Sequence, residues 1–452
     1  MSESEFQVPM PEVNVVVVEP GQRAPRGATA CVIGQHLDFS TRHLESYCLS
    51  SWKPLLFDAL LVAAAVEFCD RIQKRPRLGW GRHIHLRVPV HDLNHWSQPA
   101  VQNRLIDALC LLTGDDWHVA FVQRRKREDA PSQGLLEMPQ GITAVIPFSD
   151  GLDSKIVGAI SERKRPRQII RVRLGTQARR KGQPFTAVPY DVNTGRSGGE
   201  TSMRSRGFKF ATVSAVAAYM VGAGEIIMPE SGQGALGSVL VPVVHGYGDY
   251  RNHPLFTERM ELYLSALFGR VIRFAFPRLW FTKGETLKTY MQGGDDENCL
   301  ETRSCWQQSR QASAGHRRRQ CGICAACMLR RLSIHAAQLQ EDPDKYIWRK
   351  LSAPTLEAGA AAQFDKITKA MQQYAIAGTL HLDHLAALRR SPLHVASLRR
   401  HAAHLGRTQN LEPQDAEKRL NRLLDQHRRE WTAFVGALGS RSFIAQWVGS
   451  AA

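Results

Sequence analysis

The chain has 452 residues, of which 43% are hydrophobic and 22% are charged. These proportions are those of globular proteins, and they exclude a largely disordered or fibrous chain. Since single cores rarely grow past about 250–300 residues, the length predicts two or three domains. The formal net charge of +17 favours anionic partners such as nucleic acid, nucleotide phosphates or an acidic protein, and an ordinary solvated basic surface is the competing interpretation.

The sequence carries no recognisable targeting or membrane segment. Its first six residues include two glutamates and no basic residue, whereas a secretory signal begins basic and continues apolar. The longest apolar run, residues 55–68, is too short to span a bilayer and is interrupted by Asp58 and Glu67, so it predicts a buried helix. We therefore expect a cytoplasmic protein with reduced thiols and no membrane partner.

Residues 1–140 predict an N-terminal α+β domain. Strand-like and helix-like patterns alternate in the order β-β-α-β-α-β, at residues 14–19, 28–33, 52–73, 83–90, 100–112 and 117–123. This segment has no catalytic motif. It does have four histidines that could be taken for metal ligands, but no cage of thiols or carboxylates accompanies them. We interpret them as surface histidines; they are His83, His85, His91 and His95.

At Gly141 the pattern changes to short apolar strands separated by helices. The strands are predicted at residues 142–147, 169–174, 225–229 and 271–276. The intervening helices are predicted at residues 155–162, 207–222 and 254–268. This alternation predicts an α/β fold with a doubly wound, mainly parallel sheet.

Two further segments have a distinct composition. Residues 177–206 are rich in glycine, arginine, lysine and serine, and we predict a mobile loop near the substrate. Residues 340–452 are predicted to be helical, with two especially basic helices near residues 393–405 and 416–429. A packing or interaction role suits this region better than a catalytic one.

A turn with the chemistry of a phosphate site follows the strand at 142–147. It comprises Ser149, Asp150, Gly151, Leu152, Asp153 and Ser154, and a helix follows it. Successive backbone N–H groups in such a turn form a concave anion site, and the helix N-terminus adds a favourable dipole. Ser149 and Ser154 can donate hydrogen bonds to phosphate oxygens. Gly151 allows close backbone approach, and Asp153 can orient the turn or hold Mg²⁺.

Five of the nine cysteines lie between residues 299 and 327. Four of these predict a structural zinc site, because three have the spacing of a metal-binding knuckle and a distant fourth completes a tetrahedral shell: Cys305, Cys321, Cys324 and Cys327. An iron–sulfur cluster is the competing interpretation, since it uses the same ligands. Cys299 is interpreted as a bystander. The remaining four are interpreted as mostly buried, inert thiols: Cys31, Cys48, Cys69 and Cys110.

The turn and the cysteines together resemble QueC, the 7-cyano-7-deazaguanine synthase family of PP-loop ATPases. The turn is similar to the PP-loop signature Ser-Gly-Gly-x-Asp-Ser, with Asp150 in place of the first glycine. Aspartate tolerates left-handed backbone better than most residues, so the turn can still form. Ser304-Cys305 and residues 321–330, Cys-Gly-Ile-Cys-Ala-Ala-Cys-Met-Leu-Arg, are similar to the closing motif of the family.

Other stretches resemble the family in the same order along the chain. Residues 246–251, Gly-Tyr-Gly-Asp-Tyr-Arg, are similar to its Gly-Tyr-Pro-Asp-Cys-Arg segment, and residues 282–285, Thr-Lys-Gly-Glu, to its Ser/Thr-Lys-x-Glu segment. Arg206-Gly207 stands where the family has Arg-Asn before a helix. The resemblance covers residues 141–339, which we expect to be a PP-loop ATPase domain between the N-terminal domain and the helical region at 340–452.

An ordinary QueC lacks both flanking regions. The larger build resembles the QueC-like proteins of bacterial anti-phage systems, such as the QatC component of Qat operons and a counterpart in some CBASS operons. The resemblance implies that ATP activates the carboxylate of a 7-carboxy-7-deazaguanine-like base as an acyl-adenylate, with release of pyrophosphate. An amine then attacks, supplied by ammonia or by a partner protein from the same operon. The implied cofactors are ATP, Mg²⁺ and structural Zn²⁺.

The same resemblance implies roles for individual residues. The turn at 149–154 would hold the pyrophosphate, and Lys283 and Arg251 would stabilise negative charge at the α-phosphate or carboxylate, with a surface ion pair as the alternative for each. Asp249 would contact the base or a metal ion. Candidate substrate-pocket residues lie at Arg206 and where a predicted strand ends, since such folds bind ligands at the carboxyl ends of strands: Glu230, Ser231 and Gly232.

Three alternative functions stay open at this stage. The chain can be a queuosine-pathway 7-cyano-7-deazaguanine synthase that makes the nitrile on the free base. It can be a nucleic-acid-binding module that keeps a degenerate PP-loop fold, which Asp150 and the arginine-rich tail motivate. A tRNA-thiolating enzyme of the same class is third, because it needs a reactive cysteine or sulfur carrier, whereas the cysteine spacing indicates a bound metal. Nucleic acid is therefore a possible partner but not a required one.

Overall fold

The computed structural model describes residues 10–39, 44, 47, 53–76, 79–124, 140–174, 185–195, 198–241, 247–294, 297–307, 312–314, 317–364 and 367–449. The predicted loop at 177–206 lies outside these ranges at residues 177–184, 196 and 197. Cys48 and Gly246 lie outside them as well. No helix in the described ranges is long and apolar enough to cross a membrane.

The described residues of the N-terminal part of the chain form five strands and three helices. They are β1 Glu12–Val18, β2 Thr29–Val32, β3 Leu37–Asp38, α1 Pro54–Ile72, β4 His83–Val90, α2 Leu93–Trp96, α3 Pro99–Thr113 and β5 Asp116–Gln123. Helix α1 begins with proline, whose fixed φ suits the first helical turn, and nearly all of its side chains are buried. Helix α3 ends at Gly114, which adopts the left-handed conformation typical of a helix C-terminus.

The strands β2-β1-β4-β5 form one four-stranded sheet, and every pairing in it is parallel. This segment is therefore α/β and not the α+β domain that we predicted. The reason is the connections: β1 and β4 are linked through α1, and β4 and β5 through α2 and α3, and helical crossovers return the chain to run in the same direction. Buried and exposed side chains alternate along β4 and β5, so one face of the sheet is exposed to solvent there.

The middle part of the chain forms a second four-stranded parallel sheet, as predicted from the alternating pattern. Its elements are β6 Ala144–Phe148, α4 Leu152–Lys164, β7 Ile169–Arg173, β8 Asp191–Val192, α5 Arg206–Met220, β9 Glu225–Ile227, α6 Gly232–Leu240, α7 Pro254–Phe268, β10 Arg273–Ala275 and α8 Lys283–Met291. The sheet order is β10-β9-β6-β7, so the winding direction reverses between β6 and β9. Strands β3 and β8 pair separately as a short antiparallel ribbon.

The C-terminal region is helical, as predicted. After the short strands β11 Ser313–Ala314 and β12 Arg317–Arg318, the helices are α9 Ala325–Ala336, α10 Leu356–Gly359, α11 Lys369–Ala387, α12 Val395–Thr408, α13 Pro413–Leu438 and α14 Phe443–Gly449. Helices α9, α11, α13 and α14 share a buried apolar cluster that includes Trp348, Leu382 and Trp431.

The chain divides into two compact units that interleave along the sequence. The first contains Met1–Phe148, Arg165–Met228 and Pro242–Ala275, and the second contains Ser149–Lys164, Pro229–Val241 and Phe276–Ala452. Both parallel sheets belong to the first unit. The segments that leave the carboxyl ends of β6 and β9 belong to the second. The three-domain division drawn from the sequence stays a prediction.

A buried ion cluster anchors the first unit. The Arg82 guanidinium donates two hydrogen bonds to Asp115, at 3.0 and 2.8 Å, and another to Asp70 at 3.0 Å. Arg75 adds a contact of 2.6 Å to Asp115, and the Ser205 amide donates to Asp70. The two arginines hold the pKa of Asp70 below its ordinary value against the opposing effect of burial. The cluster joins the end of α1, the starts of β4 and β5, and the start of α5.

We expect Asp115→Asn to lower the free energy of unfolding by about 3–5 kcal/mol, because it leaves two buried arginine charges, Arg75 and Arg82, with the single carboxylate of Asp70. Urea denaturation measures this change. The surface pair Arg259–Asp107 supplies the control: Asp107→Asn should cost no more than about 1 kcal/mol, since exposed pairs contribute little. Equal costs for the two variants would contradict the role given to the buried cluster.

Candidate functional site

The predicted phosphate turn is closed by its own hydroxyl groups. The Ser149 Oγ and Ser154 Oγ atoms are 3.0 Å apart, and the Gly151 amide donates to Ser149 Oγ at 3.3 Å. From outside the turn, the Arg303 amide donates to the Asp150 carbonyl at 2.9 Å. Each of the six residues 149–154 has negative φ, so the conformation at Asp150 needs no left-handed backbone. Aspartate therefore fits the position of the signature glycine without backbone strain.

Three helix N-termini of the second unit meet beside this turn. Asp153 lies in the first turn of α4, Ser231 is the N-terminal cap of α6, and Lys283 is the first residue of α8. Although Ser231 occupies the N-cap position of α6, its side chain makes no hydrogen bond to that helix; the hydroxyl donates to Asp153 Oδ1 at 3.0 Å. Lys283 Nζ lies 2.5 Å from Asp153 Oδ2. Because helix N-termini carry partial positive charge, this arrangement favours negative charge at the shared point.

The Lys283 ammonium is almost fully buried, with 5% of the residue exposed. Burial by itself lowers the pKa of this ammonium, but the carboxylates of Asp153 and Glu230 more than offset that effect and raise the pKa above its ordinary value. Lys283 therefore keeps its charge throughout the neutral range. This geometry excludes the exposed surface ion pair that was the alternative interpretation for this residue.

Glu230 completes the charged group and is poised to titrate near neutrality. Burial of its carboxyl group and the nearby Asp153 carboxylate raise the pKa of Glu230 from 4.5 to about 8, although Lys283 opposes the shift. The carboxyl group folds over the first turn of α6, where a Cβ atom added to Gly234 would lie 2.2 Å from Glu230 Oε1. Glycine at 234 is thus required for the carboxyl group to occupy this place.

Helix α13 is joined to α6 and α8 by a buried chain of hydrogen bonds. Gln233 accepts from the Lys283 amide at 2.7 Å and donates to His427 Nδ1 at 2.8 Å. His427 in turn donates from Nε2 to the Leu382 carbonyl at 2.9 Å. Burial lowers the pKa of His427 to about 4, so the neutral ring serves as both acceptor and donor. The side chain of Leu423 packs so closely on Gly232 that an added Cβ would lie 2.5 Å from it.

A second set of contacts fixes the start of α8 to the same helix. Thr282 and Glu285 form a capping box, in which each side chain bonds the other's backbone amide. The Thr282 hydroxyl also donates to Glu430 Oε1 at 2.7 Å, and burial raises the pKa of Glu430. Arg422 pairs with Glu285 and donates to the Trp280 carbonyl at 2.8 Å. Helices α6 and α13, which are far from α8 in the sequence, thus fix the start of α8, where Lys283 is the first residue.

The other predicted charged residues lie in the first unit and form a group of their own. The Arg251 guanidinium binds Asp249, with the Nε atom 2.9 and 2.8 Å from the two carboxylate oxygens. Arg251 packs on the first turn of α5, since a Cβ added to Gly207 would lie 2.7 Å from the Arg251 Cβ atom. Arg206, at the start of that helix, lies over the Phe210 ring, and burial lowers the pKa of its guanidinium.

The four predicted metal-binding cysteines come together in the second unit. Their Sγ atoms all lie within 4.8 Å of one another, and Cys321 and Cys327 are 3.8 Å apart. Sulfur atoms around a tetrahedral zinc ion are about 3.8 Å apart, because each Zn–S bond is about 2.3 Å long. The amides of Cys321 and Cys324 donate to the sulfurs of Cys305 and Cys321. This cluster can hold a metal ion such as zinc.

Arg330, which ends the cysteine motif, has a structural explanation. Its side chain is fully buried and donates to Glu341 and the Leu300 carbonyl, each at 2.6 Å, and to the hydroxyls of Thr302 and Ser304. It therefore ties the segment just before Cys305 to α9, which carries Cys327. This link fixes the distant fourth cysteine relative to the knuckle.

Sequence reasoning missed two residues on which the site rests, His427 and Glu430. Both are buried polar side chains within a helix, and the sequence gives no spacing signal for them because their partners Gln233 and Thr282 are 194 and 148 positions away. The ion pair between Asp153 and Lys283 was also not anticipated, although both residues were predicted separately. No family model matches this chain, and no curated protein matches it.

We expect the chain to retain one zinc ion after dialysis against a chelator, and Cys324→Ser to lose it, because three thiolates of the described cluster cannot close a tetrahedral shell. Elemental analysis of the dialysed proteins measures the zinc content. Cys299→Ser is the matched control, since it changes a buried cysteine outside the group of four and should retain zinc. Iron with labile sulfide in the wild-type chain would contradict the zinc assignment.

Glu230→Gln should change how stability depends on pH. The carboxyl group titrates near 4.5 when unfolded and near 8 when folded, so its ionised form destabilises the folded chain. The wild-type free energy of unfolding therefore falls as pH rises between these values, and the variant should gain stability relative to wild type over the same interval. Urea denaturation at several pH values measures the difference. Glu357→Gln, at an exposed residue, is the control. A difference in the free energy of unfolding between Glu230→Gln and wild type that does not change with pH would contradict the raised pKa of Glu230.

Proposed function

We propose that the chain is an ATP-using enzyme of the PP-loop class that cleaves ATP between the α- and β-phosphates to activate a carboxylate. The observation that carries the proposal is the meeting of three helix N-termini around Asp153, with the buried Lys283 ammonium and the Ser149 and Ser154 hydroxyls beside them. Such an arrangement suits a pyrophosphate group, because it offers backbone amides, hydroxyl donors and a permanent positive charge in one place.

The residues of this site suit the parts of the reaction as follows. The turn at 149–154 would hold the β- and γ-phosphates, and Lys283 would stabilise the negative charge that develops as pyrophosphate leaves. Mg²⁺ would accompany the phosphates, with Asp150 and Asp153 as the nearby carboxylates able to bind it. Protonated Glu230 would add no negative charge beside the phosphates, which matters because its ionised form would repel them.

The proposed chemistry has two steps. An oxygen of the substrate carboxylate attacks the α-phosphorus, the bond from that phosphorus to the bridging oxygen breaks, and pyrophosphate leaves. The nitrogen of an amine then attacks the carbonyl carbon of the acyl-adenylate, AMP leaves, and the nitrogen loses a proton. The amine is ammonia or an amino group on a partner protein. The roles that the resemblance implies for Arg251, Asp249 and Arg206, as contacts to the α-phosphate, the carboxylate or the base, stay predictions.

The identity of the substrate rests on the resemblance to the QueC family. It points to a 7-carboxy-7-deazaguanine-like base, and the flanking regions point to the anti-phage branch of QueC-like proteins, with a protein acceptor from the same operon. A queuosine-pathway synthase would instead convert the base to its nitrile with ammonia. Analysis of the product mass distinguishes these outcomes, since only transfer to protein adds mass to a polypeptide.

The nucleic-acid-binding alternative is favoured by one feature of the C-terminal helices. Exposed arginines recur along α12 and α13, at Arg399, Arg400, Arg419, Arg428 and Arg429. Such a surface neutralises phosphates, and its affinity for nucleic acid should fall steeply with salt. Binding of this kind in a chain that forms no AMP would favour this alternative over the enzyme.

We expect the purified chain to form AMP and pyrophosphate from ATP and Mg²⁺ when 7-carboxy-7-deazaguanine is present. Ser154→Ala should lower the rate by about 10²-fold, the usual effect of removing one donor to developing negative charge. Ser161→Ala is the matched control: it changes the same residue type on the same helix, with 6% exposed against 7% for Ser154. Mass spectrometry of the nucleotide and the base measures both products.

Two outcomes of this assay would contradict the proposal. One is the absence of AMP with ammonia and with candidate acceptor proteins in a chain that retains its zinc. The other is AMP formation that is equally fast in Ser154→Ala and Ser161→Ala, because the turn would then have no part in the reaction.

A further inference from the structure

We propose that the exposed face of the N-terminal parallel sheet carries a second divalent-metal site, formed by His83, Asp116 and His118. This site is independent of the proposed ATP chemistry and lies entirely in the first unit. It takes a metal ion of the zinc class, which imidazole and carboxylate ligands suit.

The register of two neighbouring strands brings the ligands together. In the parallel pair β4 and β5, His83 lies opposite Asp116, and His85 lies opposite His118. Since side chains alternate between the faces of a strand, all four residues are on one face. That face is open to solvent, with side-chain exposures of 35% for His83, 45% for Asp116 and 57% for His118.

Two of the three distances between ligand atoms are close to those around a single ion. One ligand atom from each residue lies within 4.8 Å of the other two. Asp116 Oδ2 is 2.9 Å from His83 Nδ1 and 3.2 Å from His118 Nε2. Ligand atoms bound to a tetrahedral zinc ion are about 3.3 Å apart, because each bond is about 2.0–2.1 Å long. Entry of the ion therefore requires shifts of only a few tenths of an ångström at these two contacts.

Two further side chains hold the ligands in place. The His85 ring stacks on His118, with ring centres 4.7 Å apart and planes 9° from parallel. His85 Nε2 is in turn 3.2 Å from Glu12 Oε2, on the neighbouring strand β1. This support limits the orientations of the His118 ring, as the outer residues of metal sites commonly do. Three protein ligands leave at least one coordination position for water or an external ligand.

The sequence concealed this site because its ligands come from two strands. His83 and His85 were interpreted as surface histidines because no carboxylate accompanies them in the sequence. The further ligands, Asp116 and His118, lie 33 positions further along the chain, on the paired strand. The competing interpretation is a hydrogen-bonded trio without metal, in which His83 holds the pKa of Asp116 below its ordinary value.

Isothermal titration of the untagged, full-length chain with ZnCl₂ tests the proposal, after the cysteine site has been filled and excess zinc removed. We expect one further zinc ion to bind the wild-type chain. His118→Ala and Asp116→Asn should each weaken that binding by more than about 100-fold, because loss of a ligand costs more than the 10–100-fold typical of outer residues. His85→Ala, on the same face, removes a supporting residue but no ligand and should weaken it by only about tenfold.

Asp116→Asn keeps the size of the side chain and one hydrogen-bond acceptor, so it separates loss of metal from loss of structure. Titration with CoCl₂ gives a second measurement, since cobalt at this site would show ligand-field bands without sulfur charge-transfer bands. No further zinc in the wild-type chain would overturn the proposal. Equal zinc binding by wild type, His118→Ala and Asp116→Asn would also overturn it, because the ion would then lie elsewhere.

Discussion

The ion pair between Asp153 and Lys283 is the constraint around which the second unit is arranged. Lys283 is buried, and a buried ammonium is tolerated only beside negative charge and hydrogen-bond partners. Asp153 supplies that charge, and Ser231 orients the carboxylate. Because the three residues begin three different helices, the pair fixes the helix starts relative to one another. The proposed phosphate site would thus be organised before its ligand arrives, which would lower the cost of binding.

The cysteine cluster and the helical region depend on each other. Cys321, Cys324 and Cys327 are buried in the same apolar cluster as Trp348, Leu382 and Trp431. A metal ion there would add strength to a core that already joins α9, α11, α13 and α14. Arg330 extends this connection to the segment before Cys305. A zinc ion at the predicted site would thus stabilise packing that supports α8 and α6.

Local patterns in the sequence predicted those features that depend on neighbouring residues. The short apolar strands around residues 144–148 and 169–173, the turn at 149–154 and the spacing of Cys321, Cys324 and Cys327 all follow from neighbouring residues. The contacts that complete each site are long-range: His427 approaches Gln233 across 194 positions, and His83 approaches Asp116 only because of strand pairing. The parallel N-terminal sheet was missed for the same reason, since strand direction is set by crossovers and not by composition.

The position of α13 has a consequence for how this protein can be divided. Arg422, His427 and Glu430 lie on one helix and hold the first residues of α6 and α8. A chain shortened before residue 413 would leave Gln233 without its imidazole and Thr282 without its carboxylate. Such a fragment would keep every residue of the phosphate turn and of the cysteine cluster while losing the support behind Lys283. The smallest fragment that can be expected to keep the site must therefore include this helix, although none of the sequence motifs lies on it.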